Sequence, residues 1–344
     1  MRLADIFGID GPVMGEIRGT TRQETEMARA RTRIYFVSDL HGSSLCFRKF
    51  VNAAPIYEAN VLILGADLAG KAIQSIVHQP GGRWTTRFVG TQYDVEDGPE
   101  LAALEKLIAD HGYYPYRAEP GELEAMQEGG TLDDLFLRLM KERLTEWLTI
   151  ADERLRPLGV PLYFMLGNDD PPELAGLLDS APWGTHCEGQ VVWLDDDHEM
   201  ISWGYSNITP WHTYREETEE ELAAAIARNA DQLTHPERAI FNLHPPPLDT
   251  QLDDAPKLDE GLQVQAVLGQ VQYVPVGSSA VREAELDRQP LLGLHGHIHE
   301  SAGVRRLGRT MIINPGSDYS TGALNGALIT LDRDKVKGHQ LVRG

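Results

Sequence analysis

Two short segments place metal-binding types of side chain two residues apart. In "SDLHG" Asp39 is followed by His41, and in "GHIH" His297 is followed by His299. Because residues i and i+2 of an extended chain point the same way, each pair can present two ligands toward one point. Carboxylate and imidazole groups are ligands of borderline divalent ions. The spacing therefore predicts two convergent ligand pairs.

Three single polar residues follow other apolar runs in the same manner. They are Asp67 in "GADLAGK", Asn168 in "LGNDDPP" and His244 in "NLHPPP". Together with the two pairs they make seven candidates, more than one tetrahedral site takes. Two ions that share a carboxylate would use them all. We therefore expect two divalent metal ions, of which Mn²⁺, Fe²⁺ or Zn²⁺ suits this donor set.

The stretch "LGNDDPP" raises a question of its own, because packing does not explain Asn168, Asp169 and Asp170 at the end of an apolar run. Asn and Asp are depleted from strands, and two adjacent ionised carboxylates repel. A junction between a strand and a turn accounts for these residue types without any function. The alternative is that Asn168 binds metal and that the turn aims it.

Alternating strands and helices supply the frame for these side chains. Short apolar runs predict buried strands at 33–39, 60–67, 161–168, 238–245, 290–299 and 310–317. Helical patterns lie at 44–54, 101–112, 131–155 and 215–230, the last with Thr213 and Glu216 spaced as a capping box. This alternation predicts an α/β fold with the functional residues at the strand ends.

The ordered series "DLH", "GAD", "GNDD", "H" and "GHIH", followed by "INPGS", resembles the motifs of the calcineurin-like metallophosphoesterase superfamily. The resemblance runs from about residue 34 to 317. It implies a four-layer α/β/β/α sandwich of two mixed sheets with a dinuclear metal centre at the strand ends. It also implies hydrolysis of a small phosphorylated substrate by a metal-bridging hydroxide, without a protein nucleophile.

The resemblance assigns each candidate ligand a place. One ion would be held by Asp39, His41 and His299, the other by Asn168, His244 and His297, and Asp67 would bridge the two.

Two positions depart from the superfamily pattern. Ala66 stands between Gly65 and Asp67, where the pattern has Gly-Asp directly. Asp169 stands where most members have a histidine that helps the leaving group or contacts the phosphate, and Asp170 keeps the place of the acidic residue that orients it. We take Asp169 and Asp170 as candidate catalytic residues. Asp169 either is a replacement acid, which needs a raised pKa, or has lost that role. The missing histidine favours a phosphodiester substrate over a monoester.

Two other interpretations compete with the phosphoesterase. Residues 65–72, "GADLAGKA", match the G-x-x-x-x-G-K core of a P-loop, but Ala72 replaces the Ser or Thr that coordinates Mg²⁺. In the phosphoesterase, Lys71 of this segment is a candidate substrate-binding residue. A catalytically inactive binding scaffold of the same fold is the second alternative, although all seven ligand positions carry competent side chains.

The hundred residues between Asp67 and Asn168 exceed a simple crossover connection. We therefore expect a loosely ordered N-terminal arm at 1–30 and a metallophosphoesterase domain at 31–344 with a mainly helical insertion at about 76–155. The pattern "WTTRFVGTQYDV" within it indicates a strand or hairpin. The insertion is a candidate substrate lid or homo-oligomer surface, or packs only on itself.

Composition limits the partners. Fifty-two acidic residues against thirty-one basic ones give a net charge of −21, which argues against broad binding of nucleic acid or anionic membranes. The sequence contains no apolar run of membrane-spanning length and no signal-peptide pattern. Cys46 and Cys187 are the two cysteines, so no disulfide framework is implied. We expect a cytoplasmic protein.

Overall fold

The apolar runs form strands that alternate with helices in a computed structural model, which describes residues 31–344. The predicted arm at 1–30 lies outside the described residues. The α-helices are α1 (Ser44–Tyr57), α2 (Pro99–Asp110), α3 (Glu122–Gly129), α4 (Leu132–Leu155), α5 (Ala175–Asp179), α6 (Glu219–Ala230) and α7 (Ser279–Arg288). Single 3₁₀ turns lie at Arg156–Leu158, Pro172–Leu174, Pro236–Arg238 and Tyr319–Thr321.

The strands of the first half are β1 (Thr32–Val37), β2 (Val61–Leu64), β3 (Ile73–Gln79), β4 (Arg83–Phe88), β5 (Thr91–Glu96), β6 (Tyr114–Ala118), β7 (Leu162–Phe164), β8 (Thr185–His186), β9 (Val192–Trp193), β10 (Glu199–Trp203), β11 (Ser206–Asn207) and β12 (Glu216–Glu217). Those of the second half are β13 (Ile240–Leu243), β14 (Asp254–Pro256), β15 (Ala266–Val267), β16 (Gln270–Val271), β17 (Tyr273–Pro275), β18 (Leu292–Leu294), β19 (Gly303–Leu307), β20 (Thr310–Asn314), β21 (Asn325–Asp332) and β22 (Lys335–Arg343).

Two six-stranded mixed sheets form the centre of residues 32–344. The first has the order β22-β21-β1-β2-β7-β8, with β1, β2, β7 and β8 parallel. The second has the order β19-β20-β18-β13-β10-β9, with β20, β18, β13 and β10 parallel. Because parallel strands end at the same edge of a sheet, the segments after β1, β2 and β7 lie side by side, as do those after β13 and β18.

Three apolar layers hold the sheets and helices together. Ile34 and Phe36 of the first sheet pack with Met200 and Ile240 of the second, in a fully buried cluster between the sheets. Tyr35 and its alternate neighbours in β1 face the other way, toward α1 and α4. Phe241 and its neighbours in the second sheet pack against α6 and α7. The molecule is therefore the α/β/β/α sandwich that the resemblance implied.

The region assigned to the insertion divides into two parts. Strands β3 to β6 form a four-stranded sheet of order β5-β4-β3-β6, and its small core includes Ile76, Phe88 and Leu101 of α2. Helix α4 instead belongs to the main core, where the ring of Trp147 stacks on Phe47 at 4.4 Å. The sequence pattern indicated the β4–β5 hairpin and the helices but not the pairing of β3 with β6.

Helix α6 begins later than the sequence pattern indicated. Its capping box consists of Thr218 and Glu221, which exchange hydrogen bonds between each side chain and the other residue's backbone N–H. The predicted pair, Thr213 and Glu216, has the same spacing but lies before the helix, where Glu216 is the first residue of β12. The capping-box prediction was therefore wrong by five residues, because both pairs satisfy the pattern.

Among the helices of residues 31–344, none combines the length and the apolar character that crossing a membrane requires.

Candidate metal centre

All seven predicted ligands lie together where the carboxyl ends of the two sheets meet. Asp39 and His41 follow β1, Asp67 follows β2 and Asn168 follows β7 of the first sheet; the three histidines that follow β13 and β18 of the second sheet are His244, His297 and His299. Asp39, His41 and His299 form one group of converging ligand atoms, and Asp67, His244 and His297 form another, each within 4.8 Å.

The distances place Asp67 between the two groups. His41 Nε2 lies 3.1 Å from His299 Nε2 and 3.6 Å from Asp67 Oδ2. On the other side, His244 Nε2 lies 3.3 Å from the same Asp67 oxygen. One carboxylate oxygen therefore faces a histidine of each group, as the bridging position requires.

Asn168 joins the second group through its amide oxygen. Asn168 Oδ1 lies 2.9 Å from His244 Nε2 and 2.9 Å from His297 Nδ1. The oxygen and the two ring nitrogens converge on one side of the amide.

The chemistry of the donor set fits divalent cations. The ring nitrogens of His41 and His299 face each other at 3.1 Å, and two nitrogens bound at about 2.0–2.1 Å to one tetrahedral ion lie roughly 3.3 Å apart. Burial pushes the pKa of His41 well below its usual value and lowers that of His297 to about 3, which favours the neutral ring that binds metal. These residues therefore suit two ions.

The two buried carboxylates of the centre are held ionised by their histidines. Burial opposes ionisation of Asp39, but the hydrogen bond from His299 and the charge of His244 outweigh it and bring the pKa to about 2. Burial opposes ionisation of Asp67 as well, but the charge of His244 and its hydrogen bond outweigh burial and hold the pKa of Asp67 well below its usual range. Conversely, Asp67 raises the pKa of His244 despite its burial.

The backbone at the ligands is strained. Asp39, His41, Asp67 and His297 have φ angles of 59°, 40°, 51° and 66°, in the left-handed region that side chains with a Cβ rarely adopt. Each such residue costs on the order of 1–3 kcal/mol and persists only where surrounding contacts enforce it. Backbone hydrogen bonds from Asp39 N to Ala66 O at 2.9 Å and from His41 N to Asp67 O at 3.0 Å join the first two loops. The loops thus hold these ligands in conformations that packing alone would not favour.

Asp170 ties the second ligand loop to the third. Its carboxylate is fully buried and accepts hydrogen bonds from the backbone N–H groups of Leu68 at 2.9 Å, Ala69 at 2.7 Å and Gly167 at 2.7 Å. The oxygens contact backbone amides and not the side chain of Asp169. Asp170 thus joins the two loops through their backbone, and its role in orienting residue 169 stays a prediction.

The same bonds remove the P-loop alternative for residues 65–72. The amides that would bind phosphate already donate to Asp170, and Gly70 N donates to Tyr114 Oη at 2.9 Å. The segment then continues into strand β3 and not into a helix. Neither the donors nor the helix of a P-loop is present in this segment.

Lys71 and Asp169 form an ion pair beside the ligands. Lys71 Nζ lies 2.6 Å from Asp169 Oδ2, and Asp169 Oδ2 lies 3.9 Å from His41 Nδ1. Burial and the charge of Asp67 raise the pKa of Asp169, against the opposing effect of Lys71. Burial lowers the pKa of Lys71, but Asp169 and Asp67 outweigh it and raise the pKa. The half-exposed ammonium is therefore a cation at the edge of the centre.

Two residues that contact the ligands were not predicted from the sequence. The ring of Tyr319 packs on His41 with centroids 4.7 Å apart and also faces His299. Thr213 accepts a hydrogen bond from Asn168 Nδ2 at 2.9 Å. Tyr319 lies just beyond the "INPGS" motif, whose Ser317 donates to Asp39 O at 2.7 Å, so the motif was a signal for this segment. No sequence signal points to Thr213 as a neighbour of Asn168.

Comparison with known proteins adds information on the fold. No family model matches the chain, and no curated protein matches it. One solved crystal structure aligns with 91% of this chain and 99% of its own length at 13% identity and a TM-score of 0.50. The protein TT1561 of Thermus thermophilus aligns with 92% of this chain and 99% of its own at 16% identity and a TM-score of 0.49. A dimetal phosphatase from Danio rerio aligns with 91% and 98% at 9% identity and a TM-score of 0.39.

At 13% identity and a TM-score of 0.50, the similarity to the first of these structures shows a shared fold and does not extend to activity. Within the chain itself, the motif series, the two-sheet sandwich and the seven converging ligands agree with one another. The sandwich is the fold that the motif series led us to expect.

Proposed function

We propose that this protein is a metal-dependent phosphoesterase that hydrolyses a phosphate ester at a dinuclear centre. One observation carries the proposal: two groups of ligands converge, and one oxygen of Asp67 lies 3.6 Å from His41 of the first group and 3.3 Å from His244 of the second. When bound, two divalent ions would supply a water of lowered pKa as nucleophile and positive charge for the phosphoryl oxygens. The residues that would hold them are Asp39, His41, Asp67, Asn168, His244, His297 and His299.

Lys71 would bind the substrate. Its ammonium lies beside the centre and is half-exposed, so it can donate to a phosphoryl oxygen without being drawn from the protein interior. The contact at 2.6 Å makes Asp169 the partner that positions Lys71. In this arrangement Asp169 orients the substrate-binding cation and does not donate a proton to the leaving group. Lys71 and Asp169 would together take the place of the histidine found in most members of the superfamily.

We propose a preference for phosphodiesters over monoesters. Without a proton donor at position 169, the reaction depends on the leaving group carrying its own developing charge. A single lysine also provides little compensation for the second negative charge of a monoester. Good leaving groups on singly charged substrates are therefore favoured.

The substrate would be small and phosphorylated. The net charge of −21 disfavours long polyanions, whereas bound divalent ions reverse the sign locally at the centre. The two buried free cysteines are consistent with a reducing, cytoplasmic setting.

The test is hydrolysis of a nitrophenyl phosphodiester and the matching monoester after chelation and reloading with Mn²⁺, Fe²⁺, Zn²⁺ or Mg²⁺. We expect metal to restore hydrolysis, with a higher rate for the diester than for the monoester. Asp67→Asn should abolish turnover and weaken binding of one or both ions, because it removes the charge shared by the two groups. Full activity in Asp67→Asn would contradict the dinuclear centre.

An exposed control separates this effect from general damage. Asp134→Asn alters an exposed carboxylate in the first turn of α4 and should keep both activity and ion binding. A wild-type protein that binds two ions but hydrolyses neither ester would favour the inactive scaffold over the enzyme.

A further inference from the structure

The side-chain amide of Asn168 has two ends of nearly the same shape but of opposite hydrogen-bonding character. Its oxygen faces His244 Nε2 and His297 Nδ1, both at 2.9 Å, while its nitrogen donates to Thr213 Oγ1 at 2.9 Å. Only the oxygen can bind a cation, because the NH₂ group is a donor without a free lone pair. Rotation of the amide by half a turn would therefore replace a ligand by a group that cannot bind metal.

Glu216 determines the direction of the hydrogen bond between Thr213 and Asn168. Thr213 Oγ1 donates to Glu216 Oε1 at 2.8 Å, and Thr213 N donates to the same oxygen at 2.9 Å. A hydroxyl has one hydrogen, and an ionised carboxylate only accepts. Since Thr213 donates its hydroxyl hydrogen to Glu216, the hydroxyl oxygen can only accept a hydrogen bond from Asn168. The donor is the NH₂ group of Asn168.

The segment that carries Thr213 and Glu216 is itself fixed. Thr209 donates to Glu216 through both its hydroxyl, at 2.5 Å, and its backbone N–H, at 3.1 Å. Arg215 N donates to Asn168 O at 3.2 Å, and its guanidinium donates to Gly167 O at 3.2 Å. The buried guanidinium also pairs with Glu188 Oε1 and lies 4.1 Å from the ring centroid of Tyr205. One segment thus holds both the main chain and the side chain of the ligand residue.

We infer that Thr213 and Glu216 are positioning residues, which fix the amide of Asn168 with its oxygen toward His244 and His297. The inference rests on the proposed metal centre and concerns its second ion. In the reversed orientation, the Asn168 oxygen would face the Thr213 oxygen, whose only hydrogen is engaged by Glu216. The direction of the hydrogen bonds from Asn168 to Thr213 and from Thr213 to Glu216 therefore selects the metal-binding orientation of the amide.

Three substitutions test this direction of the hydrogen bonds. Thr213→Val keeps the shape but removes the hydroxyl, so the affinity for the second ion should fall roughly ten- to a hundredfold, the range found when outer hydrogen-bond partners of ligands are lost. Thr213→Ser keeps the hydroxyl and should bind both ions like the wild type. Glu216→Leu removes the acceptor of the Thr213 hydroxyl and frees that hydrogen for the Asn168 oxygen, so it should lower the affinity as Thr213→Val does.

Binding of Mn²⁺ and Zn²⁺ to the full, metal-stripped chain is measured by titration calorimetry, with bound metal counted by elemental analysis. Thr310→Val is the matched control, because it removes a buried hydroxyl that donates to Pro290 O at 2.8 Å away from the ligands. Thermal unfolding of the metal-free proteins gives an independent readout. Similar midpoints for Thr213→Val and Thr213→Ser, with different second-ion affinities, are the expected result.

Either of two results would overturn the inference: wild-type affinity for two ions in Thr213→Val, or a loss of affinity in Thr213→Ser as large as that in Thr213→Val. A double variant, Thr213→Val with Glu216→Leu, should bind the second ion no more weakly than Thr213→Val alone, since both changes break the same hydrogen-bond chain. A wild-type protein that binds no ion would refute the proposed function and this inference together, whereas an intact two-ion centre in Thr213→Val refutes the inference alone.

Discussion

The ion pair of Lys71 and Asp169 distinguishes two roles for the residue that replaces a histidine. Lys71 at 2.6 Å favours the ionised form of the Asp169 carboxylate, but burial and the charge of Asp67 act more strongly and raise its pKa. A general acid must carry its proton when the leaving group departs. The ion pair supports the proposed positioning of Lys71, whereas the raised pKa suits proton donation by Asp169, and kinetics separate the two roles.

The proposed role of Asp169 in positioning Lys71 predicts a pattern of kinetic effects. Lys71→Met should lower kcat/KM roughly ten- to a hundredfold, since hydrogen bonds to charged groups contribute about 1.5–3 kcal/mol. Asp169→Ala should reduce kcat/KM by a similar factor for good and poor leaving groups, because Lys71 is then displaced equally for both. The measurement is kcat/KM across a series of aryl phosphodiesters, with exposed Lys141→Met as control. A loss in Asp169→Ala that grows with the pKa of the leaving group would instead identify Asp169 as the general acid.

At the scale of elements, the centre depends on loops that are joined to each other more than on any one strand. Asp170 joins the loop after β2 to the loop after β7 through three backbone N–H groups. Two of the donors, Leu68 and Ala69, directly follow the bridging residue Asp67. The carboxylate thereby links the geometry of Asp67 to that of Asn168.

Asp170→Asn should therefore weaken both stability and metal binding. The amide keeps one acceptor oxygen and turns an NH₂ group toward backbone donors, so at least one buried N–H loses its partner. We expect a loss of about 1–3 kcal/mol in the free energy of unfolding, measured with urea in the presence of a chelator. Asp169→Asn is the neighbouring control, because the Asp169 carboxylate contacts a side-chain ammonium and not these amides. Equal stability of the two variants would show that the three N–H bonds do not hold the loops.

The strand ends could be predicted from the sequence because each ligand closes a buried apolar run, as Asp67 does after β2 and His244 after β13. Contacts between side chains of loops that are distant in sequence could not be predicted in this way. Thr213 reaches Asn168 across 45 residues, and nothing local in either segment indicates that contact. The capping box could not be assigned from the sequence for a similar reason. Thr218 and Glu221 have the same spacing as Thr213 and Glu216, and only the backbone conformation shows which pair caps the helix.

Across the whole molecule, the two sheets are also joined at the end opposite to the metal centre. Thr32, at the start of β1 in the first sheet, donates its hydroxyl hydrogen to the carboxylate of Asp195 in the turn between β9 and β10 of the second. The same carboxylate pairs with His198 Nδ1 at 2.7 Å and accepts the backbone N–H of Asp197 at 2.8 Å. Burial alone would raise the pKa of Asp195, but these hydrogen bonds outweigh it and lower the pKa to about 2.

The lowered pKa makes the joint between the sheets sensitive to acid. A carboxyl group whose pKa is lower in the folded than in the unfolded chain stabilises the fold above its unfolded pKa, about 3.9, and loses this contribution as the pH falls toward 2. From the difference between the two pKa values, the contribution of Asp195 at neutral pH is roughly 2 kcal/mol. Asp195→Asn should therefore be less stable than the wild type at pH 7, and the difference should shrink between pH 4 and pH 2. The free energy of unfolding in urea at a series of pH values, with metal removed, measures this difference while the other carboxylates titrate alike in both proteins. A stability difference that is independent of pH over this range would mean that Asp195 acts by packing and not through its charge.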